Sequence, residues 1–266
     1  MPLPAPSPST TALITGASSG IGADLARELA DRGHNVVLVA RRADRLEALA
    51  TELRNAHLVR AEALACDLTD PEARDGLPGR VADLGLTVDI LINNAGYGSA
   101  GDFVELDGTS ETEMVRLNCE AVVALSHAYA PGMVERRSGA ILVVASSAAF
   151  QPLPRQATYS ASKAFALTFA EALSAELGPQ GVTVTALCPG PIETEFAQRA
   201  GLEEAFAQLP GFARVSPRDC ARAAVDGLAN GKRVVVPGLP FRALGLAGRH
   251  TPRSILLPLM RRFYPA

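Results

Sequence analysis

Short apolar runs rich in Val, Ile and Leu alternate along this 266-residue chain with longer segments of helical periodicity. Such alternation is typical of βαβ units, whose parallel strands are buried beneath helices on both faces of one sheet. The pattern predicts an α/β fold: a single doubly wound, Rossmann-like parallel sheet of about seven strands with helices on both faces. The predicted strands are Ala12–Thr15, Asn35–Ala40, Leu58–Ala65, Val88–Ile92, Ala140–Ala145, Val182–Leu187 and Arg233–Val236, and the predicted helices are Ile21–Arg32, Arg42–Arg54, Pro71–Leu84, Ser110–Arg136 and Thr158–Leu177.

The domain organisation follows from the absence of an internal repeat or a long linker in the sequence. We expect one dinucleotide-binding and catalytic domain over residues 11–266. Four prolines within residues 1–10 predict a short disordered lead-in. Residues 195–266 are expected to form substrate-side helices and a basic C-terminal tail.

Charge, cysteine usage and hydropathy exclude several classes of protein. The chain has 25 Lys and Arg against 28 Asp and Glu, a net charge of -3, whereas nucleic-acid-binding domains are usually basic. The four Cys and four His show no metal-ligand spacing, so no metal site is predicted. No apolar run reaches the roughly 18 residues of a membrane span, and the N-terminal residues do not resemble a signal peptide. We therefore expect a cytoplasmic protein.

Positive charge is concentrated at the C-terminal end. Residues 232–266 hold seven Lys and Arg and no acidic residue, so residues 1–231 carry a charge of -10. We favour docking of this basic tail against the acidic body or a neighbouring subunit. The alternative is peripheral contact with an anionic membrane surface or an acyl-carrier protein. Pro252 and Pro258 weaken the membrane interpretation, because they are expected to interrupt a long amphipathic helix.

A glycine-rich turn, TGASSGIG (Thr15–Gly22), joins the first predicted strand to the first predicted helix. Glycines at such a turn allow positive φ and close approach of the backbone to a pyrophosphate, which binds at the helix N-terminus. The alternative is an ordinary Gly/Ser-rich turn. The position between strand and helix favours a cofactor site made by Gly16, Ser18, Ser19, Gly20, Ile21 and Gly22.

Two arginines, Arg41 and Arg42, follow the second predicted strand. An acidic residue at this position binds the ribose 2′-hydroxyl of NAD, whereas arginine accommodates a 2′-phosphate. The sequence therefore predicts NADP(H) rather than NAD(H). The alternative is that both arginines begin a solvated helix and pair with Asp44 and Glu47.

A Tyr and a Lys four residues apart, Tyr159 and Lys163, lie on one face of the last predicted helix. A free phenol with a pKa of about 10 transfers protons poorly at neutral pH. A neighbouring cation favours the phenolate and is expected to lower that pKa toward the working range. Ser146, at the carboxyl end of a predicted strand, lies at the sheet edge where ligands of such folds bind.

These motifs occur in the order seen in the short-chain dehydrogenase/reductase family, and the chain resembles that family from about Thr11 to Thr194. The resemblance implies that Tyr159 is the general acid in carbonyl reduction and the base in alcohol oxidation. Lys163 is implied to lower the tyrosine pKa and to hold the nicotinamide ribose. Ser146 is implied to bind the substrate oxygen, and Asn118 to hold a water of the proton relay. The motifs are TGASSGIG, NNAG (Asn93–Gly96), Asn118, Ser146, YSASK (Tyr159–Lys163) and Pro189-Gly190 with Thr194.

The same resemblance implies further cofactor contacts. Asp67 is implied to contact the adenine, although Asp67 is also placed to cap a helix before Pro71. For Asn93 the alternative role is a plain β-turn, and for Thr194 it is a helix cap. The remaining implied contacts are Leu68, Asn94, Ala95, Gly96, Pro189, Gly190 and Ile192.

The sequence thus predicts an NADP(H)-dependent oxidoreductase acting on a carbonyl or secondary alcohol. The segment from Phe196 to Phe212 suits an apolar ketone, a steroid-like alcohol or a 3-oxoacyl thioester, or its side chains pack on the sheet. A catalytically silent NADP-binding regulatory protein, and an epimerase or dehydratase of the extended group, are the alternative functions. The resemblance also implies a homo-oligomer, either dimer or tetramer.

Overall fold

The computed structural model describes residues 3–192, 195–196, 200, 215–238, 241, 243, 245, 247–248 and 251–263. Seven parallel strands form one sheet, as predicted, in the order β3-β2-β1-β4-β5-β6-β7. Strand order therefore reverses between β1 and β4, and ligands of such sheets bind in the crevice at this point. The strands are β1 Thr10–Thr15, β2 Val36–Ala40, β3 Ala61–Ala65, β4 Thr87–Asn93, β5 Gly139–Val144, β6 Val182–Leu187 and β7 Val234–Val235.

Helices cover both faces of the sheet. Alternate residues of β1 point to opposite faces, so that Ile14 and Leu13 belong to separate buried clusters. Helices α1, α2 and α8 pack on the Ile14 face, and α4, α6 and α7 pack on the Leu13 face. The helices are α1 Gly20–Asp31, α2 Ala43–His57, α3 Pro71–Asp75, α4 Leu77–Asp83, α5 Gly108–Val115, α6 Ala121–Glu135, α7 Ala157–Leu177, α8 Pro217–Ala229 and α9 Arg253–Phe263, with a π-turn at Arg116–Glu120 and 3-10 turns at Ser147–Phe150 and Gly178–Gln180.

Four predicted elements differ from the structure by three residues at one end or by a break in the interior. The second helix ends at His57 rather than Arg54. The third strand begins at Ala61 rather than Leu58, because Leu58 ends α2 in the left-handed conformation with φ 56°. The helix predicted over Pro71–Leu84 divides into α3 and α4 at Gly76. The helix predicted over Ser110–Arg136 begins at Gly108 and contains the π-turn.

Two residues of the expected lead-in, Leu3 and Ser7, contact the body of the chain. The side-chain amide of Asn35 donates hydrogen bonds to the backbone oxygens of Ser7 and Thr10, both at 3.0 Å. Leu3 packs against the core cluster on the Ile14 face. Asn35, the residue before β2, therefore joins this proline-rich segment to the start of the sheet. The disordered lead-in stays a prediction.

The prediction that Pro258 interrupts a C-terminal helix is wrong, because α9 continues through it, whereas α9 begins directly after Pro252. Leu256 and Met260 of α9 are buried in a small cluster with Met114 and Tyr159. This part of the basic tail therefore packs on the body of the same chain. Among the residues described, no helix combines the length and apolarity that crossing a membrane requires.

Candidate active site

A cleft of about 530 Å³ lies at the carboxyl edge of the sheet, across the point where strand order reverses. The turn between β1 and α1 lines one end of it. Ser146, Tyr159 and Lys163 line the other end. The two candidate sites from the sequence are therefore two ends of one cleft.

The turn between β1 and α1 has no room for side chains at two of its glycines. Gly16 has a φ of +66°, and a Cβ on it would lie 2.8 Å from Asn94 Nδ2 and 2.9 Å from Ala95 Cα. A Cβ on Gly22 would collide with Asn94 Nδ2 and the carbonyl oxygen of Gly16. The backbone therefore packs closely onto the end of β4, as a phosphate-binding turn requires.

Thr15 and Asn94 hold this turn against the sheet. Thr15 Oγ1 accepts hydrogen bonds from the backbone N–H of Asn94 at 2.9 Å and of Ala95 at 3.0 Å, and it donates to Ile92 O at 3.1 Å. Asn94 Nδ2 donates to Thr15 O at 2.8 Å. The positioning role of Thr15 was not predicted from the sequence, although the adjacency of β1 and β4 brings these ends together.

The residues of the turn fit a dinucleotide phosphate. The N-cap residue Ser19 makes no side-chain capping bond, and Gly20, Ile21 and Gly22 of the first turn of α1 line the cleft. The N–H groups of a first helical turn and the positive end of the helix dipole favour an anion. Arg42 Nη2 donates to Ser18 Oγ at 3.0 Å and to Ser19 Oγ at 2.8 Å. The donor set therefore combines backbone amides, hydroxyls and a guanidinium, which suits an anion.

The two arginines after β2 do not make the ion pairs with Asp44 and Glu47 that the alternative interpretation requires. Arg41 lies 3.8 Å from Asp67, and Arg42 bonds Glu195 at 2.9 Å. Both arginines line the cleft beside the glycine-rich turn.

Asp67 does not cap α3, because Asp70 accepts the capping bonds from Glu72 N and Ala73 N. The Asp67 carboxylate instead accepts hydrogen bonds from Thr69 Oγ1 at 2.7 Å and Thr69 N at 2.9 Å. Partial burial opposes these bonds, but their net effect with Arg41 lowers the pKa of Asp67. Asp67 therefore lines the cleft as an ionised carboxylate.

Ser146, Tyr159 and Lys163 converge from β5 and α7. Ser146 begins the 3-10 turn after β5, and its Oγ accepts a hydrogen bond from Ala148 N at 3.1 Å. Ser146 and Tyr159 line the same cleft, and hydrogen bonding by Ser146 favours the ionised form of the Tyr159 phenol. Lys163 Nζ donates to Val144 O at 2.9 Å and lies 6.0 Å from the centroid of the Tyr159 ring.

Burial, rather than the lysine charge, sets the protonation of this group in the free protein. It raises the pKa of Tyr159 to about 12, against a smaller opposite effect of the Ser146 hydrogen bond. It lowers the pKa of Lys163 to about 8. The Lys163 ammonium faces the backbone carbonyl of Val144, and the lowering of the tyrosine pKa by Lys163 stays a prediction.

Asn118 lies in the π-turn and is buried behind the cleft. Its Nδ2 donates to Tyr97 O and to Ser162 Oγ, both at 3.0 Å, and its Oδ1 accepts from Tyr97 N at 3.3 Å. A Cβ on Gly96 would lie 2.8 Å from Asn118 Oδ1 and 3.3 Å from Lys163 Nζ. Asn118 thus anchors the backbone after β4 close to the lysine, and π-turns are frequent at functional sites.

The loop after β6 covers the Ser146 end of the cleft. Pro189 O accepts a hydrogen bond from Ser147 N at 2.8 Å, and Ile192 is buried. A Cβ on Gly190 would lie 2.6 Å from ring atoms of Phe241. Thr194, and most of the segment from Phe196 to Phe212, lie outside the described residues.

Several residues that line the cleft were not singled out by sequence reasoning. Phe196, which was named only as the start of the segment expected to suit an apolar substrate, places its ring centroid 5.4 Å from that of Tyr159. Phe241 comes from far along the chain and carries no motif. The additional lining residues beside Tyr159 are Tyr97, Leu117, Ala148, Gln151, Leu153, Gln156, Phe196 and Phe241.

The fold and the cleft together define a class: dinucleotide-binding α/β proteins with a Ser–Tyr–Lys group at the carboxyl edge of the sheet. The sequence model of the short chain dehydrogenase family matches residues 10–205. The chain belongs to the short-chain dehydrogenase family.

Individual relatives are similar over much of the chain. A very-long-chain 3-oxoacyl-CoA reductase of Phaeosphaeria nodorum is 38% identical over 179 residues, which are 66% of this chain and 52% of that protein. This chain therefore spans about half the length of that relative. A short-chain dehydrogenase from Sphingobium yanoikuyae in complex with NADPH has a TM-score of 0.81 at 38% identity, covering 94% of this chain and 95% of the other. The bulky-bulky ketone specific alcohol dehydrogenase from Comamonas testosteroni has a TM-score of 0.77 at 33% identity, covering 98% of both.

Proposed function

We propose that this protein is an NADP(H)-dependent oxidoreductase that transfers a hydride between the nicotinamide and a carbonyl or secondary alcohol. The observation that carries this proposal is the convergence of Ser146, Tyr159 and Lys163 at one end of a cleft whose other end is the glycine-rich turn. The similarity to a 3-oxoacyl-CoA reductase and to a ketone-specific alcohol dehydrogenase supports it.

Tyr159 is the proposed general acid in carbonyl reduction and the general base in alcohol oxidation. With a pKa of about 12 in the free protein, its phenol is protonated at neutral pH and can donate to a carbonyl oxygen. The Ser146 hydroxyl, which lines the same cleft, is proposed to hold that oxygen. The bound cofactor supplies or accepts the hydride, and the protein handles the proton.

Lys163 and Asn118 are proposed to support this proton transfer. Lys163, with a pKa of about 8, is largely a cation at neutral pH and can hold the nicotinamide ribose and favour the phenolate. Asn118 is proposed to hold a relay water, and its bonds to Tyr97 and Ser162 place its amide next to Gly96 and the lysine.

The proposed cofactor is NADP(H) rather than NAD(H), because Arg41 and Arg42 supply positive charge where a 2′-phosphate is bound in such folds. The NADPH-bound relative from Sphingobium yanoikuyae supports this choice. The other proposed cofactor contacts are Gly16, Ser18, Ser19, Gly20, Ile21, Gly22, Asp67, Leu68, Asn94, Ala95, Gly96, Tyr159, Lys163, Pro189, Gly190, Ile192 and Thr194.

The proposed substrate is an apolar ketone, a steroid-like compound or a 3-oxoacyl thioester, reduced with NADPH. Leu153, Phe196 and Phe241 give the Tyr159 end of the cleft apolar walls. A homo-oligomer and a cytoplasmic location stay predictions from the sequence.

The test is NADPH oxidation, followed by absorbance, across bulky ketones, steroids and 3-oxoacyl thioesters. We expect turnover by the wild type and its loss, by at least about a hundredfold, in Tyr159→Phe. Tyr129→Phe is the matched control, because Tyr129 is a half-buried tyrosine that packs on the core and does not line the cleft. Undiminished turnover in Tyr159→Phe would overturn the assignment, and NADPH binding without turnover on any substrate would favour the regulatory alternative.

A further inference from the structure

Glu195, which lines the cleft, binds both Arg42 and Arg45. Arg42 Nη1 donates to Glu195 Oε2 at 2.9 Å, and Arg45 Nη1 donates to the other carboxylate oxygen. Two guanidinium groups at the start of α2 therefore bind both carboxylate oxygens of Glu195. These hydrogen bonds with Arg45 and Arg42 lower the pKa of Glu195 to about 2, so that the carboxylate is ionised at neutral pH.

Arg42 connects this carboxylate to the glycine-rich turn. Its Nη2 donates to Ser18 and Ser19, while its Nη1 donates to Glu195. The N–H donors of a guanidinium have fixed directions in one plane. The Nη1 donor that binds Glu195 is therefore not available to a second anion. Arg41 is different: its side chain is 65% exposed, and its ion pair with Asp67 is long, at 3.8 Å.

The residue after Glu195 reaches the opposite end of the cleft. Phe196 packs its ring 5.4 Å from Tyr159, centroid to centroid. Both Glu195 and Phe196 line the cleft. Glu195 and Phe196 thus connect Arg42 with Tyr159, and all four residues line the same cleft.

We propose that Glu195 is a specificity-determining residue that competes, as an internal anion, with the cofactor's 2′-phosphate for Arg42. This inference rests on the proposed preference for NADP(H). A phosphate monoester and a carboxylate seek the same guanidinium donors, and two anions at one guanidinium repel each other. Binding of a 2′-phosphorylated nucleotide therefore requires Arg42 to release Glu195, whereas a nucleotide without that phosphate leaves the ion pairs in place. Glu195 accordingly lowers the affinity for NADP(H) without changing that for NAD(H).

The test compares two probes that differ only in the 2′-phosphate, 2′,5′-ADP and 5′-AMP, by isothermal titration calorimetry. In Glu195→Gln, which removes the charge at nearly constant shape, we expect 2′,5′-ADP to bind about three- to tenfold more tightly, the range for loss of a surface carboxylate that engages two arginines. Binding of 5′-AMP is expected to change less than about twofold. Glu47→Gln is the matched control. Glu47 lies on α2 and pairs with Arg54 rather than with Arg42, so this substitution removes the same charge without disturbing Arg42.

The outcomes separate this inference from the proposed function. If neither the wild type nor Glu195→Gln prefers 2′,5′-ADP over 5′-AMP, and Arg42→Ala binds both alike, the proposed NADP(H) preference fails. If the wild type prefers 2′,5′-ADP but Glu195→Gln binds it equally or more weakly, the competition fails, since Glu195 then holds Arg42 in place for the phosphate. If Glu47→Gln tightened the binding of 2′,5′-ADP as much as Glu195→Gln does, the loss of any negative charge would explain the effect. That result would also overturn the inference.

Discussion

Lys163 donates its ammonium hydrogen bond to the backbone oxygen of Val144, 2.9 Å away, at the carboxyl end of β5. The lysine is thereby held against the strand that leads to Ser146, and its Nζ lies 6.0 Å from the centroid of the Tyr159 ring. Burial of the charged Lys163 ammonium lowers the stability of the folded protein, even though a carbonyl accepts its hydrogen bond. The free energy of unfolding therefore depends on the pH at which Lys163 loses its proton.

The first prediction concerns stability against pH. Because burial lowers the pKa of Lys163 to about 8 from 10.5, the unfolded chain binds more protons between these values. The free energy of unfolding should therefore rise from pH 7 to pH 9, by on the order of 1 kcal/mol. Urea unfolding of the cofactor-free protein at pH 7 and pH 9 measures this free energy. The Lys163→Met variant should lack the rise. An equal rise in both proteins would contradict the assignment to Lys163.

The second prediction concerns the glycine-rich turn. Gly22→Ala should destabilise the protein by about 1–3 kcal/mol, because the added methyl group collides with Asn94 and Gly16 O. It should also weaken NADPH binding, measured by the fluorescence of the bound nucleotide. Gly79→Ala in α4 is the control: no atom lies within 4 Å of its Cβ position, so we expect stability unchanged or raised by up to about 1 kcal/mol. Similar losses in both variants would refute the close packing of the turn.

The third prediction concerns Thr15. Thr15→Val preserves shape but leaves the backbone N–H groups of Asn94 and Ala95 without their acceptor, at a cost of about 1–3 kcal/mol. Because these groups hold the turn, NADPH binding should weaken as well. Thr185→Val removes a single bond to Lys232 O and lies outside the cleft lining, so it should lower stability without affecting NADPH binding. Unchanged NADPH affinity in Thr15→Val would contradict the positioning role.

The fourth prediction concerns the C-terminal helix. Leu256→Ala should cost about 2–5 kcal/mol, because Leu256 is buried against the Tyr159 cluster. Leu257→Ala, one residue along the same helix and 41% exposed, should cost clearly less. Thermal unfolding of the two variants distinguishes them. Equal, small effects would show that α9 does not pack on the body of the chain in solution.

Much of the fold was predictable because periodicity reports burial directly. Each of the seven strands was predicted at its place in the chain, and the residues of β5 are buried along its whole length, as expected for a strand covered on both faces. The division at Gly76 and the π-turn around Asn118 were not predicted. The division at Gly76 had a sign in the sequence, because Pro78 follows it and proline is tolerated only in the first turn of a helix. The π-turn has no such sign, because no glycine or proline lies within Arg116–Glu120.

The sequence by itself determined the order of the chemistry-bearing motifs along the chain and the residue types in them. Short-range spacing places glycines at a strand end and puts Tyr159 and Lys163 on one helix face. Only the tertiary structure decided what those groups touch. Glu195 reaches Arg42 across 153 positions of sequence, and Phe241 enters a cleft formed by residues far before it. Burial likewise separated the pKa values of Tyr159 and Lys163, since desolvation depends on everything packed around a group rather than on its neighbours in the chain.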